Sequence, residues 1–377
     1  MRVQCLRFKR LDHHVGTGGP SALDSEGGRA ITDDHFRGPV AGLNTGWPAP
    51  CSGSPLVGRI VVSKRALVFP GQGSQVVGMG GELVAAFASA RQVWEEVDDA
   101  LGESLSKLVA EGPIETLTLT ENAQPALLAT SIVVMRVLER EGGFDLASQA
   151  AFVAGHSLGE YSALTAAGAL TLRDAVRLVR ARGLAMQKAV PVGTGAMAAL
   201  LGAELEIGEK IAREAAQATG EVCAAANDNG GGQLVLSGHK AAVEKAIAIA
   251  AEKGIKRSIM LPVSAPFHSP LMQAAADVMA TELAKTTISV PQVPVVANVT
   301  AQSVRDPELI RRLLIEQVTG LVRWRESVQH LKGEGIEEIV EIGAGKVLAG
   351  LVRRIDKDVA VRSIGTPADV ETFLKTL

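Results

Sequence analysis

Residues 155–164 read GHSLGEYSAL, and this stretch decides the fold prediction. The run before it is short, apolar and bounded by glycine, which predicts a buried strand, whereas residues 158–167 are rich in helix formers. Ser157 therefore lies on a turn from strand to helix. At so tight a corner a side chain on Gly155 or Gly159 would collide with the neighbouring backbone, so the two glycines let the serine point outward.

The spacing glycine-x-serine-x-glycine is that of the nucleophile elbow of serine acyl-transfer enzymes. At such a corner the Ser157 hydroxyl lies at a helix N-terminus, whose dipole favours developing negative charge. The amide of Leu158 points at the reacting carbonyl, as an oxyanion donor would. A plain glycine-bracketed turn with a capping serine explains the same five residues, so the pattern alone leaves both interpretations open.

Composition excludes several classes of protein. With 377 residues, the chain predicts one large domain with an insert, or two domains. A net charge of −3 gives no basic surface for nucleic acid, and no apolar run approaches the roughly 18 residues of a membrane span. Cys5, Cys51 and Cys223 are widely spaced, which argues against disulfides or zinc and fits a reducing, cytoplasmic compartment. The seven histidines form no ligand cluster, so no metal is expected.

The first 62 residues differ from the rest of the chain. They contain ten glycines and five prolines and no sustained apolar period. We expect residues 1–62 to be a disordered extension or the product of a mis-assigned translation start. They lack the apolar segment of a secretory signal, and their acidic residues weigh against a mitochondrial presequence.

From Lys64 onward the pattern predicts an α/β fold with a parallel sheet and helices on both faces. A buried strand at 65–69 and a glycine-rich loop precede helical periods over 80–111 and 125–141, the latter opened by Pro125 in its first turn. A capping box at Thr171 to Asp174 starts a further helix that runs to about residue 189.

Residues 193–263 show a separate pattern of predicted elements, in the order strand, helix, strand, strand, helix, strand. This order predicts a ferredoxin-like insert within a main body made of residues 63–192 and 264–377. A ligand is expected in the cleft between insert and body.

After the insert we expect a strand at 293–299, a helix at 307–317, a helix from about Ser327 and a strand at 336–341. Gly343-Ala-Gly345-Lys346 then begins a last long helix. This turn lacks the spacing of a phosphate-binding loop, so a simple strand-to-helix turn is the favoured interpretation.

A serine hydroxyl needs a base to take its proton, and two histidines are candidates. His156 is adjacent in sequence, but its side chain leaves the corner in another direction, which favours a structural role. His268 lies where the insert's last strand returns to the main body, and this places it at the mouth of the cleft. A histidine in such a loop can equally be an ordinary loop residue.

These residues belong to a set of motifs that resembles the malonyl-CoA:acyl carrier protein transacylases of fatty-acid synthesis. The resemblance covers about residues 64–377, and it implies an α/β-hydrolase-like main body with a ferredoxin-like insert. The motifs are Phe69-Pro-Gly-Gln-Gly-Ser-Gln75, GHSLGEYSAL at 155–164, Arg182-Gly-Leu-Ala-Met-Gln187, Gly193-Thr-Gly-Ala-Met197 and Ala265-Pro-Phe-His268.

The resemblance implies that Ser157 is the nucleophile and His268 its general base. It also implies that a backbone carbonyl orients the histidine, on a segment that matches residues 321–324. Many relatives carry glutamine where this chain has Arg323, which puts any role of that side chain in doubt. Gln72 would supply the second oxyanion amide beside Leu158.

The resemblance singles out Arg182 among the arginines of its helix, because a planar guanidinium can hold a malonyl carboxylate with two parallel hydrogen bonds. An acetyl group would leave the same arginine buried and unpaired. Phe267 leaves little room for an α-methyl branch and so goes with malonyl over methylmalonyl, although an ordinary core aromatic is the alternative. Asn227 is a further candidate for the pocket.

The implied reaction transfers malonyl from malonyl-CoA to the phosphopantetheine thiol of acyl carrier protein through a malonyl-serine ester. It needs no metal or redox cofactor, and the family suggests a monomer. Three alternatives stay open: a serine esterase or thioesterase with the same elbow, a polyketide-type acyltransferase, and a non-catalytic subunit that binds the carrier.

Overall fold

The structure, a computed structural model, describes residues 64–263 and 265–377. The predicted extension at 1–62 lies outside the described residues. No helix in the described part of the chain is both long and apolar enough to cross a membrane.

A six-stranded, mostly parallel sheet forms the centre of the main body, so the predicted α/β class is confirmed. The strand order is β10-β9-β1-β2-β7-β8, and only the short edge strand β8 runs antiparallel to its neighbour. The strands are β1 (Arg65–Phe69), β2 (Phe152–Gly155), β7 (Val295–Val296), β8 (Ser303–Val304), β9 (Glu338–Ile342) and β10 (Ala360–Ile364).

Helices cover both faces of this sheet, as predicted. In β1, Leu67 and Phe69 join the larger hydrophobic cluster, whereas Ala66 and Val68 join a separate cluster on the opposite face. The larger cluster contains residues of α2, α5, α7, α8 and α11, and the opposite one residues of α13 and α14. These helices are α2 (Ala88–Leu101), α5 (Thr120–Gly142), α7 (Gly159–Ala166), α8 (Leu172–Lys188), α11 (Gln273–Ala284), α13 (Trp324–Gly333) and α14 (Val347–Ile355).

Shorter elements complete the body. They are α1 (Gly81–Ala86), α3 (Leu105–Glu111), α4 (Ile114–Thr118), α6 (Leu146–Gln149), a single 3-10 turn (Pro270–Met272), α12 (Pro307–Gln317) and α15 (Pro367–Leu374). The predicted bounds of α12 are matched, and Thr171 caps α8 as expected by accepting from the amide of Asp174.

Two predicted helices have different bounds in the structure. The period at 80–111 is broken into three helices, because Phe87 is extended and Gly102 adopts a left-handed conformation. The helix predicted at 125–141 begins at Thr120, so Pro125 lies inside it and not in its first turn. The ring nitrogen of Pro125 carries no hydrogen, and the helix therefore forgoes one backbone hydrogen bond there.

The prediction of one long final helix is wrong. The helix after the Gly343 turn ends at Ile355, after nine residues, and the chain then forms β10 and α15. Pro367 opens α15, and Thr366 and Asp369 form a capping box there. Strand β10 pairs with β9 along the sheet edge, and this long-range pairing has no local signature in the sequence.

A second, four-stranded antiparallel sheet is formed within the predicted insert, in the strand order β4-β5-β3-β6. One face of β3 packs on two helices through Ala196, Ala198 and Leu200, while Met197 and Ala199 on its other face join the core of the main body. Its elements are β3 (Gly195–Leu201), α9 (Leu205–Thr219), β4 (Cys223–Asp228), β5 (Gln233–His239), α10 (Lys240–Glu252) and β6 (Arg257–Met260).

Candidate active site

The elbow lies between β2 and α7, and its two glycines are required by space. A Cβ on Gly155 would lie 1.9 Å from the carbonyl carbon of Gly159, and a Cβ on Gly159 would lie 2.2 Å from the carbonyl oxygen of Phe69. Both distances are far below van der Waals contact, so the steric reason predicted for these glycines is confirmed. Ser157 itself has a φ of 53°, a conformation that L-residues seldom adopt.

Asn298 holds this strained turn, a role that the sequence analysis missed. Its Oδ1 accepts from the Ser157 amide at 2.7 Å, and its Nδ2 donates to the Gly155 carbonyl at 2.6 Å. The side chain is almost fully buried, two residues after β7. A polar residue near the carboxyl end of the strand predicted at 293–299 was the signal that could have identified it.

Ser157 and His268, 111 residues apart in sequence, lie in direct contact. The Ser157 Oγ is 2.7 Å from His268 Nε2, and His268 Nδ1 is 2.9 Å from the carbonyl oxygen of Gln317. A carbonyl can only accept, so Nδ1 carries the proton and Nε2 is free to accept from the serine hydroxyl.

The segment predicted to orient the histidine is corrected by this contact. The carbonyl belongs to Gln317 at the end of α12, not to residues 321–324. The last carbonyls of a helix have no partner within the helix, which leaves this one available to His268. The Arg323 side chain instead donates to the carbonyl of Val299 and pairs with Glu326.

His268 is held in its neutral form. Its side chain is buried, and burial together with the positive charge of Arg182 lowers its pKa to about 3. A neutral imidazole is the form that can take a proton.

Arg182 is fully buried and touches the same serine. It donates to Ser157 Oγ at 3.2 Å, to Gln124 Oε1 at 2.8 Å and to Gln317 Oε1 at 2.9 Å. All three acceptors are neutral, no carboxylate of the described residues forms an ion pair with it, and its Nε has no partner there. Burial lowers its pKa, but a guanidinium stays charged at neutral pH.

The other arginines of α8 point elsewhere. Arg173 pairs with Asp99, Arg177 donates to the carbonyl of Ala100, and Arg180 pairs with Glu103. Within α8, Arg182 is thus the arginine placed at Ser157, as the sequence analysis expected.

Comparisons with known proteins agree with this geometry. The acyl transferase domain family matches residues 66–367. A malonyl CoA-acyl carrier protein transacylase of Escherichia coli is 44% identical over 314 residues, which are 83% of this chain and 100% of that protein. The chain belongs to the malonyl CoA-acyl carrier protein transacylase family.

Solved structures of the family have the same fold. An acyl-carrier-protein S-malonyltransferase from Bartonella henselae is 52% identical, with a TM-score of 0.81 over 83% of this chain and 98% of that one. A malonyl-transacylase in complex with a type II PKS acyl-carrier protein is 42% identical, with a TM-score of 0.80 over 84% of this chain and 100% of that one.

Within this transacylase fold, the loop that carries Gln72 packs against the elbow. A Cβ on Gly71 would lie 2.7 Å from the carbonyl oxygen of His156. The Gln72 side chain accepts from Thr120 Oγ1, which accepts in turn from Gln124, the partner of Arg182. The glycine-rich loop and the arginine are therefore connected through the first turns of α5.

The Leu158 amide lies between two engaged amides. Ser157 N donates to Asn298, and Gly159 N donates to the His156 carbonyl at 2.9 Å. Leu158 precedes the first residue of α7, where backbone amides have no acceptor within the helix. That Leu158 and Gln72 supply the oxyanion amides stays a prediction.

The remaining predicted residues have varied surroundings. Phe267 is buried within the main hydrophobic cluster, and Asn227 is buried on β4. His156 contacts Asn229 Oδ1 at 2.9 Å and packs near the Trp324 ring, and its pKa is lowered by burial. Its structural interpretation is confirmed, because its ring binds the four-stranded unit and not the serine hydroxyl.

Glu160 is a buried carboxyl group that the sequence analysis missed. It accepts from Gln317 Nε2 at 2.8 Å and from the Asn298 amide at 3.1 Å. Burial raises its pKa to about 7, against the opposing effect of these two bonds and of Arg182. A glutamate in the first turn of a helix normally faces solvent, so its position in sequence gave no sign of burial.

The glycine turn at 343–346 is a plain strand-to-helix turn, as predicted. Glu341 occupies the N-terminal amides of α14, accepting from Leu348 N at 3.0 Å and Ala349 N at 2.9 Å. A carboxylate already fills the place where a phosphate would bind.

Proposed function

We propose that this chain transfers the malonyl group from malonyl-CoA to the phosphopantetheine thiol of acyl carrier protein and so supplies fatty-acid synthesis. The observation that carries the proposal is one oxygen atom with two partners. Ser157 Oγ contacts the neutral His268 imidazole at 2.7 Å and the buried Arg182 guanidinium at 3.2 Å. The site therefore joins an activated nucleophile to an anchor for an anionic acyl group.

The first half-reaction acylates the enzyme. His268 Nε2 takes the proton of Ser157 as the serine oxygen attacks the thioester carbonyl. The tetrahedral oxyanion is bound by the amides of Leu158 and Gln72, each worth about 3 kcal/mol in the transition state. The imidazolium then protonates the departing sulfur, and CoA leaves as a thiol.

The second half-reaction reverses these roles. The thiol of the carrier's phosphopantetheine gives its proton to His268 and attacks the malonyl ester of Ser157. Collapse of the tetrahedral intermediate breaks the ester bond, and His268 returns the proton to the serine oxygen. The Gln317 carbonyl holds the imidazole in one orientation during both transfers.

Arg182 selects the cargo through its unpaired charge. A malonyl carboxylate would give the guanidinium its first anionic partner, whereas an acetyl group leaves it unpaired in a buried site. The pairing also acts on the base, because the Arg182 charge contributes to the low pKa of His268. Neutralising that charge makes the imidazole a stronger base when the correct acyl group is bound.

A hydrolase with the same elbow is the main alternative, and the surroundings of His268 count against it. Serine hydrolases commonly orient the histidine with a carboxylate, whereas here its partner is the Gln317 carbonyl. The buried cation beside the nucleophile also suits an anionic acyl group. A polyketide-type acyltransferase would use the same chemistry, and this alternative stays open.

Trapping the acyl-enzyme tests the proposal. After brief exposure to malonyl-CoA, we expect the intact wild-type protein to gain the mass of one malonyl group, and the Ser157→Ala variant to gain none. Acyl carrier protein should then remove the label and appear malonylated itself. Ser162→Ala is the matched control, since this buried serine lies one turn further along α7.

Two results would contradict the proposal. One is unchanged transfer by Ser157→Ala. The other is rapid CoA release at a rate that does not depend on acyl carrier protein, which would indicate a hydrolase.

We also infer finer features of the family pattern. The strand order of the four-stranded sheet supports a ferredoxin-like insert at 193–263 within an α/β-hydrolase-like body made of 63–192 and 264–377. Phe267 as a selector against methylmalonyl stays a prediction, as do the monomeric state, the cytoplasmic location and the independence from cofactors.

A further inference from the structure

Gln317 makes four hydrogen bonds that together join the reactive groups of the site. Its backbone carbonyl accepts from His268, and its side-chain Oε1 accepts from Arg182. Its Nε2 donates to the Ser157 carbonyl at 3.0 Å and to Glu160 Oε2 at 2.8 Å. The base, the anchor and the nucleophile's backbone therefore share one glutamine.

The orientation of the Gln317 amide is decided by the charges at its two ends. Arg182 can only donate and an ionised Glu160 can only accept, so Oε1 must face the arginine and Nε2 the glutamate. A reversed amide would set N–H groups against the guanidinium and an oxygen against the carboxylate. Without the Glu160 acceptor, the Ser157 carbonyl would be the remaining partner of Nε2 among the residues that the structure describes.

We propose that Glu160 is a positioning residue, which holds Gln317 and through it orients both His268 and Arg182. This inference rests on the proposed function of the site. In the described part of the chain, Glu160 forms no hydrogen bond with Ser157 Oγ or the His268 ring, so its effect passes through the glutamine. It also accepts from the backbone amide of Asn298, the residue that clamps the elbow.

The groups around Glu160 include one positive charge and two titratable side chains. Arg182 of α8 provides the positive charge, Tyr161 is its buried neighbour on α7, and His268 lies behind Gln317. The Glu160 carboxyl thus lies across the Gln317 amide from the buried Arg182 guanidinium. Burial brings its pKa to about 7, whereas that of His268 lies near 3, so the two groups titrate in separate ranges.

Substitutions at Glu160 test the hydrogen-bond role. Glu160→Gln keeps an oxygen acceptor for Gln317, and we expect its kcat and KM at pH 8 to stay within about threefold of wild type. Glu160→Ala removes the acceptor, and we expect kcat to fall by up to about 100-fold and the KM for malonyl-CoA to rise, since small displacements of reacting groups cost that much. Glu341→Gln, which alters a buried carboxyl away from the site, is the control and should leave both constants unchanged.

A pH profile separates this role from a purely structural one. The measured quantity is the acylation rate with malonyl-CoA alone, so that no acceptor thiol titrates. In the wild type, Glu160 is ionised above about pH 7 and protonated below it. The protonated carboxyl keeps one oxygen acceptor, as the Glu160→Gln amide does, so the rate should fall by no more than about threefold as the pH drops through 7. His268 stays neutral throughout that range. In Glu160→Gln this decline should be absent.

Failure of the inference about Glu160 and failure of the proposed function would give different results. Folded Glu160→Ala with unchanged kcat and KM would overturn the inference, as would an equal loss in Glu160→Gln and Glu160→Ala, or an acid decline that persists in Glu160→Gln. If Glu160→Ala does not fold, Glu160→Gln alone tests the inference, through its kcat at pH 8 and the pH dependence of its acylation rate. Activity in Ser157→Ala would instead overturn the nucleophile assignment, whatever Glu160 does.

Discussion

At the scale of single residues, both reactive side chains are carried by strained backbone. Ser157 has a φ of 53° and His268 a φ of 55°. Such conformations cost about 1–3 kcal/mol each and persist only where surrounding contacts enforce them. Asn298 provides those contacts at Ser157, while Ser269 Oγ bonds back to the Pro266 carbonyl beside His268. The strained backbone at both residues thus accompanies the close approach of the Ser157 hydroxyl and the His268 ring.

A prediction at this scale concerns substitution of Arg182. In Arg182→Ala, malonyl transfer should fall by about 100-fold or more, while acetyl transfer should fall far less, because a desolvated charge pair is lost only with the dicarboxylic cargo. Arg182→Lys should recover part of the malonyl rate but not the selectivity, since an ammonium lacks the two-pronged donor geometry.

The measurement is the ratio of kcat/KM for malonyl-CoA to that for acetyl-CoA in each variant. Equal losses for the two substrates would refute the anchoring role of Arg182.

At the scale of elements, the elbow depends on how closely α7 approaches β1. Gly159 opens α7 directly over the end of β1, where the Phe69 carbonyl occupies the space of a side chain. Because that oxygen belongs to a buried central strand, it cannot move aside cheaply. The same contact sets the position of the amide of Leu158.

We therefore expect Gly159→Ala to lower the free energy of unfolding by more than about 3 kcal/mol, in the range of severe overpacking. Gly350→Ala is the control, because nothing lies within 4 Å of its added methyl group inside α14. That change should raise stability by about 0.5–1 kcal/mol through helix propensity. Urea denaturation followed by circular dichroism measures both, and a neutral Gly159→Ala would contradict the elbow geometry.

At the scale of the whole molecule, the four-stranded unit is bound to the main body by polar contacts beside the site. Val322 bridges to β4, accepting from the amide of Asp228 at 2.9 Å. The Asp228 side chain, 5% exposed, pairs with Arg325 of α13 at 2.8 Å. His156 reaches Asn229 from the elbow itself.

Loss of Arg325 tests this connection. Arg325→Ala leaves a nearly buried carboxylate without its cation, and we expect the free energy of unfolding to fall by about 1–3 kcal/mol. The exposed pair of Lys375 and Glu371 is the control, and Lys375→Ala should change stability by no more than about 0.5 kcal/mol. Equal effects of the two substitutions in chemical denaturation would show that the Asp228 pair contributes nothing special.

Much of this fold could be read from local patterns. The strand before the elbow, the capped start of α8 at Thr171 and both ends of α12 follow from apolar periodicity and capping residues. Pro125 led to a wrong prediction of where α5 begins. A proline can lie inside a helix, and so does not mark the start of the helix, when the flanking turns and tertiary packing support it. Strand β10 was missed since its pairing with β9 depends on the sheet edge and not on its own sequence.

The sequence by itself determined the local structure: a serine on a glycine-bracketed corner, a histidine after the insert and a capped helix with several arginines, because these features depend on neighbours along the chain. The family resemblance, and not the local pattern, singled out His268 and Arg182. Only the tertiary structure decided which distant groups complete the site. Gln317, Asn298 and Glu160 come from separate elements, and their hydrogen bonds form only when the sheet aligns the carboxyl ends of its strands with the end of α12. A hydrogen bond depends on distance and direction in space, and neither is encoded by spacing along the chain.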